Sequence, residues 1–116
     1  MTRIGLAVAI GLIGAGALGD SAAAQEDSVM VDLHQLRREG GKTCMADHFH
    51  NGSSAGLPSR KAAEIAAIRD WAGFTAWEYG VHWGNFALAA SKRMSCAQSG
   101  GSWSCDLEAR ACKRGR

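Results

Sequence analysis

Residues 44–52, CMADHFHNG, bring a thiol, a thioether, a carboxylate and two imidazoles together in the chain. If His48 and His50 lie on an extended segment, both imidazoles project to one side, because alternate side chains of a strand share a face. Imidazoles and sulfur ligands suit Cu(I) or Zn(II). The pattern therefore allows two interpretations: a copper or zinc site at His48 and His50, or imidazoles that hydrogen-bond the following glycine-rich loop. Further ligand candidates are Cys44, Met45, Asp47, His34 and His82.

A second chemical motif follows at once. GSSAG, residues 52–56, fits the pattern G-x-S-x-G with Ser54 in the place of a nucleophile. That pattern is catalytic on a strained turn of a large sheet that also supplies an acid and a histidine. The chain is too short for such a fold, and nothing places His82 beside Ser54. We interpret the match as accidental and expect no enzyme activity.

The N-terminus is typical of a secretory signal peptide. Arg3 precedes an uncharged apolar run from Ile4 to Leu18, and small residues follow up to Ala24. The run is shorter than the roughly 20 apolar residues of a membrane span, although an uncleaved anchor is the alternative. We predict cleavage after Ala24, which places residues 25–116 in the periplasm or outside the cell, with no membrane span.

The composition bounds the remaining function classes. The net charge of the chain is +2, which does not indicate a nucleic-acid-binding protein. Basic residues cluster only in the C-terminal tail, which we interpret either as a solvated terminus or as a contact for an anionic surface. The residues of that second interpretation are Arg110, Lys113, Arg114 and Arg116.

The strongest predicted element is a helix over residues 60–79. Ser59 can cap its start, Gly80 can end it, and apolar residues recur at helical spacing between them. We expect Trp71, Phe74 and Trp77 to be core residues. Before this helix, residues 25–43 predict a short helix that Gly40 and Gly41 stop, with a strand over SVMVDL as the alternative, and residues 44–58 read as irregular.

The C-terminal part predicts a disulfide-bonded hairpin. With Gly100 and Gly101 as a two-residue turn, Cys96 lies opposite Cys105 at a non-hydrogen-bonded position, where Cα atoms are about 4.5 Å apart and within reach of a disulfide. The chain has four cysteines, so Cys44 pairs with Cys112 by elimination. Disulfides are expected in a small exported domain.

Together these elements predict a small α+β domain over residues 44–112, with an N-terminal segment before it and a basic tail, 113–116, after it. The main helix packs on a three-stranded antiparallel meander near residues 85–90, 94–99 and 102–109, and two disulfides stabilise it.

Residues 44–112 resemble a set of uncharacterised small exported proteins of proteobacteria. The resemblance lies in three stretches, HFHNGSSAG, WAGFTAWEYGVHWGNFALAASKRMSC and WSCDLEARAC. The resemblance implies a shared compact module and an exported location, and it brings no activity. We therefore expect a non-enzymatic periplasmic or secreted binding or accessory module. The alternative is a periplasmic copper- or zinc-binding protein that uses His48 and His50.

Overall fold

The structure, a computed structural model, describes residues 27–115. The predicted signal peptide, 1–24, and Arg116 lie outside the described residues. In chain order, the elements are β1 (Leu36–Glu39), β2 (Lys42–Met45), β3 (His50–Leu57), α1 (Arg60–Tyr79), β4 (Ala90–Ser99), β5 (Ser102–Arg110) and β6 (Cys112–Arg114). The fold is α+β, as predicted. In the described part of the chain, no helix is both long and apolar enough to cross a membrane.

The strands form two antiparallel sheets. The main sheet has the spatial order β3-β5-β4 and packs one face against α1, while the small sheet has the order β1-β2-β6. Only Ala111 separates β5 from β6, so the central strand of the main sheet leads directly into the small sheet. The core around the fully buried Trp71 lies between α1 and the main sheet, and the fully buried Trp83, which follows α1, extends it toward β6.

Both predicted disulfides are confirmed. Cys96 and Cys105 are directly opposed residues of β4 and β5, with Cα atoms 4.1 Å apart. Cys44 and Cys112 are opposed in the same way on β2 and β6, with Cα atoms 4.0 Å apart. The hairpin register is also as predicted, because Gly100 and Gly101 both adopt positive φ in the turn.

Helix α1 begins and ends where the sequence predicts. The Ser59 hydroxyl accepts a hydrogen bond from the Ala62 N–H at 3.1 Å, and the helix ends at Tyr79 before Gly80. The stripe that faces the sheet consists of Ala63, Ala67, Trp71, Thr75 and Tyr79. The expectation that Phe74 and Trp77 are core residues is wrong, because these two rings lie on the exposed side.

The third strand of the main sheet is not the predicted one. Residues 50–57, predicted as loop, form β3 and pair with β5, whereas Phe86–Leu88 forms a 3-10 turn in place of the predicted strand. The Asn85 side chain caps this turn by accepting from the Ala87 N–H. Because β3 precedes α1 yet pairs with the last strand of the hairpin, the sheet is not a meander.

The N-terminal segment is mostly extended. Val31–Leu33 forms a single 3-10 turn, and β1 then pairs with β2 in place of the predicted helix. The predicted helix stop, Gly40 and Gly41, is instead the turn between these two strands. The Ser28 N–H donates to the Tyr79 carbonyl at 2.9 Å, which ties the segment to the end of α1.

A glycine permits a close contact between α1 and the main sheet. At Gly52 of β3, a Cβ atom would lie 2.4 Å from the Ala67 carbonyl oxygen and 2.7 Å from Trp71 Cβ. These distances are far below van der Waals contact. By contrast, a Cβ at Gly73, on the outer side of α1, would meet no atom within 4 Å.

We expect Gly52→Ala to lower the free energy of unfolding by about 3 kcal/mol, because the helix must move away from the sheet to admit the methyl group. Gly73→Ala is the matched control and should raise it by about 0.5 to 1 kcal/mol, because alanine is the better helix former. Urea unfolding measures both variants. Effects of the same sign would contradict the close approach at Gly52.

Candidate functional site

Three histidines from two parts of the chain meet near the C-terminal end of α1. His34 precedes β1, His48 precedes β3, and His50 is the first residue of β3. The ring centroids of His34 and His48 are 4.5 Å apart, and those of His48 and His50 are 5.2 Å apart. The Tyr79 ring stacks on His50 at 4.7 Å. We call His34, His48 and His50 the histidine cluster.

Hydrogen bonds hold the buried His50 imidazole at both ring nitrogens. A carboxylate only accepts, so His50 Nε2–H donates to Glu78 Oε2 at 2.9 Å. On the other side, His50 Nδ1 accepts from the Thr75 hydroxyl at 3.0 Å. This assignment satisfies both partners with a neutral imidazole, so the charge of the Glu78 carboxylate is not cancelled by His50.

Tyr79 links His50 to the N-terminal segment. Its hydroxyl lies 3.1 Å from His50 Nε2 and 3.4 Å from His34 Nε2. His34 Nδ1–H in turn donates to the Met30 carbonyl at 2.9 Å. The cluster therefore connects β3, α1 and the segment around Met30 through one continuous set of contacts.

Burial governs the ionisation of the two central groups. Desolvation lowers the pKa of His50 below its ordinary value of 6.5, Glu78 opposes this effect, and His48 and His34 reinforce it. Desolvation, followed by the charge of Glu78, raises the pKa of Tyr79 to about 12. Both groups are therefore neutral at pH 7.

The lowered pKa of His50 makes the fold less stable in acid. The unfolded chain takes up a proton at this residue near the ordinary pKa of 6.5, and the folded chain does so only at lower pH. The stabilisation is thus complete above pH 6.5 and is lost as the pH falls, with a slope of at most about 1.4 kcal/mol per pH unit. Urea unfolding between pH 7.5 and 5 measures it.

His50→Gln should reduce this pH dependence, because glutamine does not titrate. His48→Gln is the comparison, because it keeps the titrating His50, and it should keep most of the wild-type slope, since burial rather than His48 is the main cause of the lowered pKa of His50. An unchanged slope in His50→Gln would contradict the assignment of the linkage to His50.

Glu78, His50 and Thr75 are hydrogen-bonded in the same order as the carboxylate, imidazole and hydroxyl groups of a hydrolytic triad. Thr75, however, is 0% exposed, so no substrate carbonyl can reach its hydroxyl. The arrangement has the connectivity of a triad without access to its nucleophile. It acts as a buried polar contact between α1 and β3.

Ser54 of the GSSAG motif has a structural role. Its hydroxyl donates to the Ala63 carbonyl at 2.7 Å and accepts from the Cys105 N–H at 3.1 Å, which joins β3 to both α1 and β5. A strand, rather than a strained turn before a helix, holds this serine. The interpretation of the G-x-S-x-G match as accidental stays a prediction.

The structure brings His48 and His50 together with His34, a residue distant in sequence, while both sulfur candidates lie elsewhere. Cys44 is in a disulfide, and Met45 is fully buried in the core. Within residues 27–115, no group of three or more histidine, cysteine, aspartate or glutamate side chains is arranged to hold a metal ion. The copper or zinc hypothesis therefore stays a prediction of the sequence.

Beside the histidine cluster, exposed aromatic rings line a cleft of about 400 Å³. Its lining residues are Ser28, Val29, Met30, Phe74, Trp77 and Glu78, and we call it the aromatic cleft. The Phe74 and Trp77 rings stack with centroids 6.0 Å apart and planes 24° from parallel. The Trp77 side chain is 80% exposed and Phe74 is 47% exposed. Sequence reasoning missed this cleft, because it assigned both rings to the core.

A second concavity, of about 620 Å³, has a more polar lining. We call it the polar groove, and side chains from three strands and α1 form it. They include Asn51, Ser53, Asp70, Arg93, Ser95, Asp106 and Glu108. Arg93 pairs with Glu108 at 3.1 Å, and the Asp70 carboxylate accepts from the Ser53 N–H at 2.8 Å, so these charged groups have partners within the protein.

Two residues of the predicted basic surface, Arg110 and Lys113, are engaged within the protein. Arg110 is buried and donates two hydrogen bonds to the Glu39 carboxylate, at 2.6 and 2.8 Å. Lys113 pairs with Asp27 at 2.6 Å. The inclusion of Arg110 in an anionic-surface contact is therefore wrong, because its guanidinium does not face solvent.

Two disulfides in a domain of this size are typical of an oxidising, exported environment. The chain matches no protein-family model, no curated protein and no solved structure among those with which it was compared.

Proposed function

We propose that the protein is an exported, non-enzymatic binding module that docks an apolar segment of a partner peptide or protein in the aromatic cleft. The observation that carries the proposal is the 80% exposure of Trp77 next to the half-exposed Phe74 ring. Contiguous exposed apolar groups mark interaction sites in soluble proteins. Tryptophan is also among the residues enriched at the energetic centres of interfaces.

The shape of the cleft supports this function. Its volume of about 400 Å³ lies in the usual range of ligand pockets, roughly 300 to 1,000 Å³. One wall comes from α1 and the other from residues 28–30, and Ser28 fastens the two by bonds to the carbonyls of Tyr79 and Glu78. Because both walls are already held in place, less conformational entropy is lost when a partner binds.

The exported location rests on the two disulfides together with the predicted signal peptide. The proposal that the module is non-enzymatic is supported by the surroundings of two candidate nucleophiles, Thr75 and Ser54. Thr75 is inaccessible, and the Ser54 hydroxyl both donates and accepts a hydrogen bond within the fold.

A phage-displayed library of random 12-residue peptides tests the proposal. Peptides are selected on the wild-type protein after depletion on Trp77→Ala. We expect selected peptides rich in apolar residues that bind Trp77→Ala at least tenfold more weakly, as is typical of a hot-spot tryptophan. The matched control is Ile65→Ala, which removes an exposed apolar side chain of α1 outside the cleft and should leave binding unchanged.

Failure to recover any peptide that distinguishes the wild-type protein from Trp77→Ala would contradict the proposal. Circular dichroism of both variants confirms that they fold, since neither side chain belongs to the buried core.

A further inference from the structure

We infer that the segment bound in the aromatic cleft carries a cationic side chain, preferably arginine, beside its apolar residue, and that Glu78 is the residue that selects it. This inference rests on the proposed function of the cleft and names the class of partner.

Glu78 supplies the charge. Among the described residues that line the cleft, only Glu78 has an acidic or basic side chain. Its side chain is 18% exposed, and one carboxylate oxygen, Oε2, accepts from the neutral His50. The imidazole orients the carboxylate without neutralising it. A partly desolvated negative charge therefore lies at the wall of an otherwise uncharged cleft, where an incoming cation would offset it.

The aromatic rings favour the same ligand. The faces of tryptophan and phenylalanine rings attract cations, and a guanidinium group stacks on them better than an ammonium group. Phe74 and Trp77 present roughly parallel rings next to Glu78 in the cleft. A guanidinium group lying along the Trp77 ring would contact the Glu78 carboxylate and a ring face at the same time. An uncharged side chain would gain no electrostatic attraction from either group.

The charge also argues against two other occupants. An anionic lipid surface would be repelled by Glu78, since lipid recognition depends on clustered lysine and arginine residues. A second copy of the chain, docked about a two-fold axis through the cleft, would bring the Glu78 carboxylates of both copies toward one interface. A cationic peptide segment is the occupant whose charge complements the site.

Matched peptides test the inference. Each arginine-containing peptide selected with Trp77-dependent binding is synthesised again with citrulline, which has nearly the same shape and no charge. We expect the arginine peptide to bind the wild-type protein about fivefold to tenfold more tightly than its citrulline partner, as a partly buried ion pair with a cation–π contact would give. Isothermal titration calorimetry measures both affinities.

Glu78→Gln should abolish this preference while it keeps the hydrogen bond from His50, because the amide oxygen still accepts. The control is Glu64→Gln, which removes an α1 carboxylate that pairs with Arg60 outside the cleft and should keep the preference. Thermal unfolding of Glu78→Gln verifies that the fold persists.

Several outcomes would overturn the inference while the proposed function stands. Selected peptides without enrichment in arginine or lysine are one, and equal affinities for the arginine and citrulline peptides are another. Trp77-dependent self-association in sedimentation equilibrium, or Trp77-dependent binding to phosphatidylglycerol vesicles, would assign the cleft to a different occupant and would contradict the proposed function as well as the inference. Absence of any Trp77-dependent peptide would instead contradict the proposed function itself.

Discussion

Replacement of Cys44 and Cys112 together by alanine is expected to lower the free energy of unfolding by about 4 kcal/mol. This disulfide closes a loop with a sequence separation of 68 residues, and the entropy that a cross-link removes from the unfolded chain grows with loop length. It also joins β2 to β6 and so holds the small sheet together. A loss of this size is comparable with the whole stability of a small domain. Urea unfolding measures it.

The hairpin disulfide is the matched control. Cys96 and Cys105 are separated by 9 residues, so the double alanine variant should lose only about 2.5 kcal/mol on the same entropic argument. A larger loss for the hairpin variant than for the Cys44 and Cys112 variant would contradict the account, because the hairpin bridge closes much the shorter loop.

Arg110→Ala is expected to cost about 3 kcal/mol of stability. The Arg110 guanidinium donates to both oxygens of Glu39 and to the Met45 carbonyl at 2.7 Å, and its side chain is 6% exposed. The bonds from Arg110 lower the pKa of Glu39. Removing the arginine leaves a partly buried carboxylate and a carbonyl without their donor, and the loss of one partner of a buried pair is strongly destabilising. Thermal and urea unfolding measure the effect.

Arg93→Ala tests the same chemistry at the surface. Arg93 pairs with Glu108 at 3.1 Å, but its side chain is 75% exposed. Exposed pairs contribute little, so the expected loss is below about 1 kcal/mol. Equal losses in the two variants would contradict the larger contribution expected of the buried Arg110 pair.

Short-range signals made the helix and the hairpin predictable. Ser59 and Gly80 lie directly next to the two ends of α1 and define them. Gly100 and Gly101 form the hairpin turn, whose register places Cys96 opposite Cys105. Each of these features depends on residues close together in the chain. Once the hairpin disulfide is assigned, the second disulfide follows by elimination.

The third strand could not be predicted in the same way. Residues 50–57 are rich in glycine and serine, which are not strand formers, and their pairing with β5 depends on residues about 50 positions away. Gly52 is required because α1 crosses there, a reason that only the packed structure reveals. In the same way, the alternation in residues 85–90 suggested a strand, but these residues turn back over Trp71.

Two histidines of the candidate site could be predicted from the sequence, whereas the residues around them could not. The spacing of His48 and His50 predicts that these two imidazoles lie together. In the structure His34, Tyr79 and Glu78 join them, although no local pattern connects these residues to the pair. The aromatic cleft was missed because aromatic residues in an alanine-rich helix usually pack inside. One signal was available, since Phe74 and Trp77 lie off the apolar stripe of α1.

The most direct test of the aromatic cleft as the binding site is an ¹H–¹⁵N NMR titration of the protein with a selected peptide. The Trp77 side chain lines the cleft, whereas the indole N–H of Trp71 donates to the buried Ala109 carbonyl and that of Trp83 donates to the Asp27 carboxylate. We expect the Trp77 indole resonance to shift strongly while the Trp71 and Trp83 resonances stay in place. Shifts centred on the Asn51 side-chain amide, with Trp77 unchanged, would instead place binding in the polar groove and contradict the account.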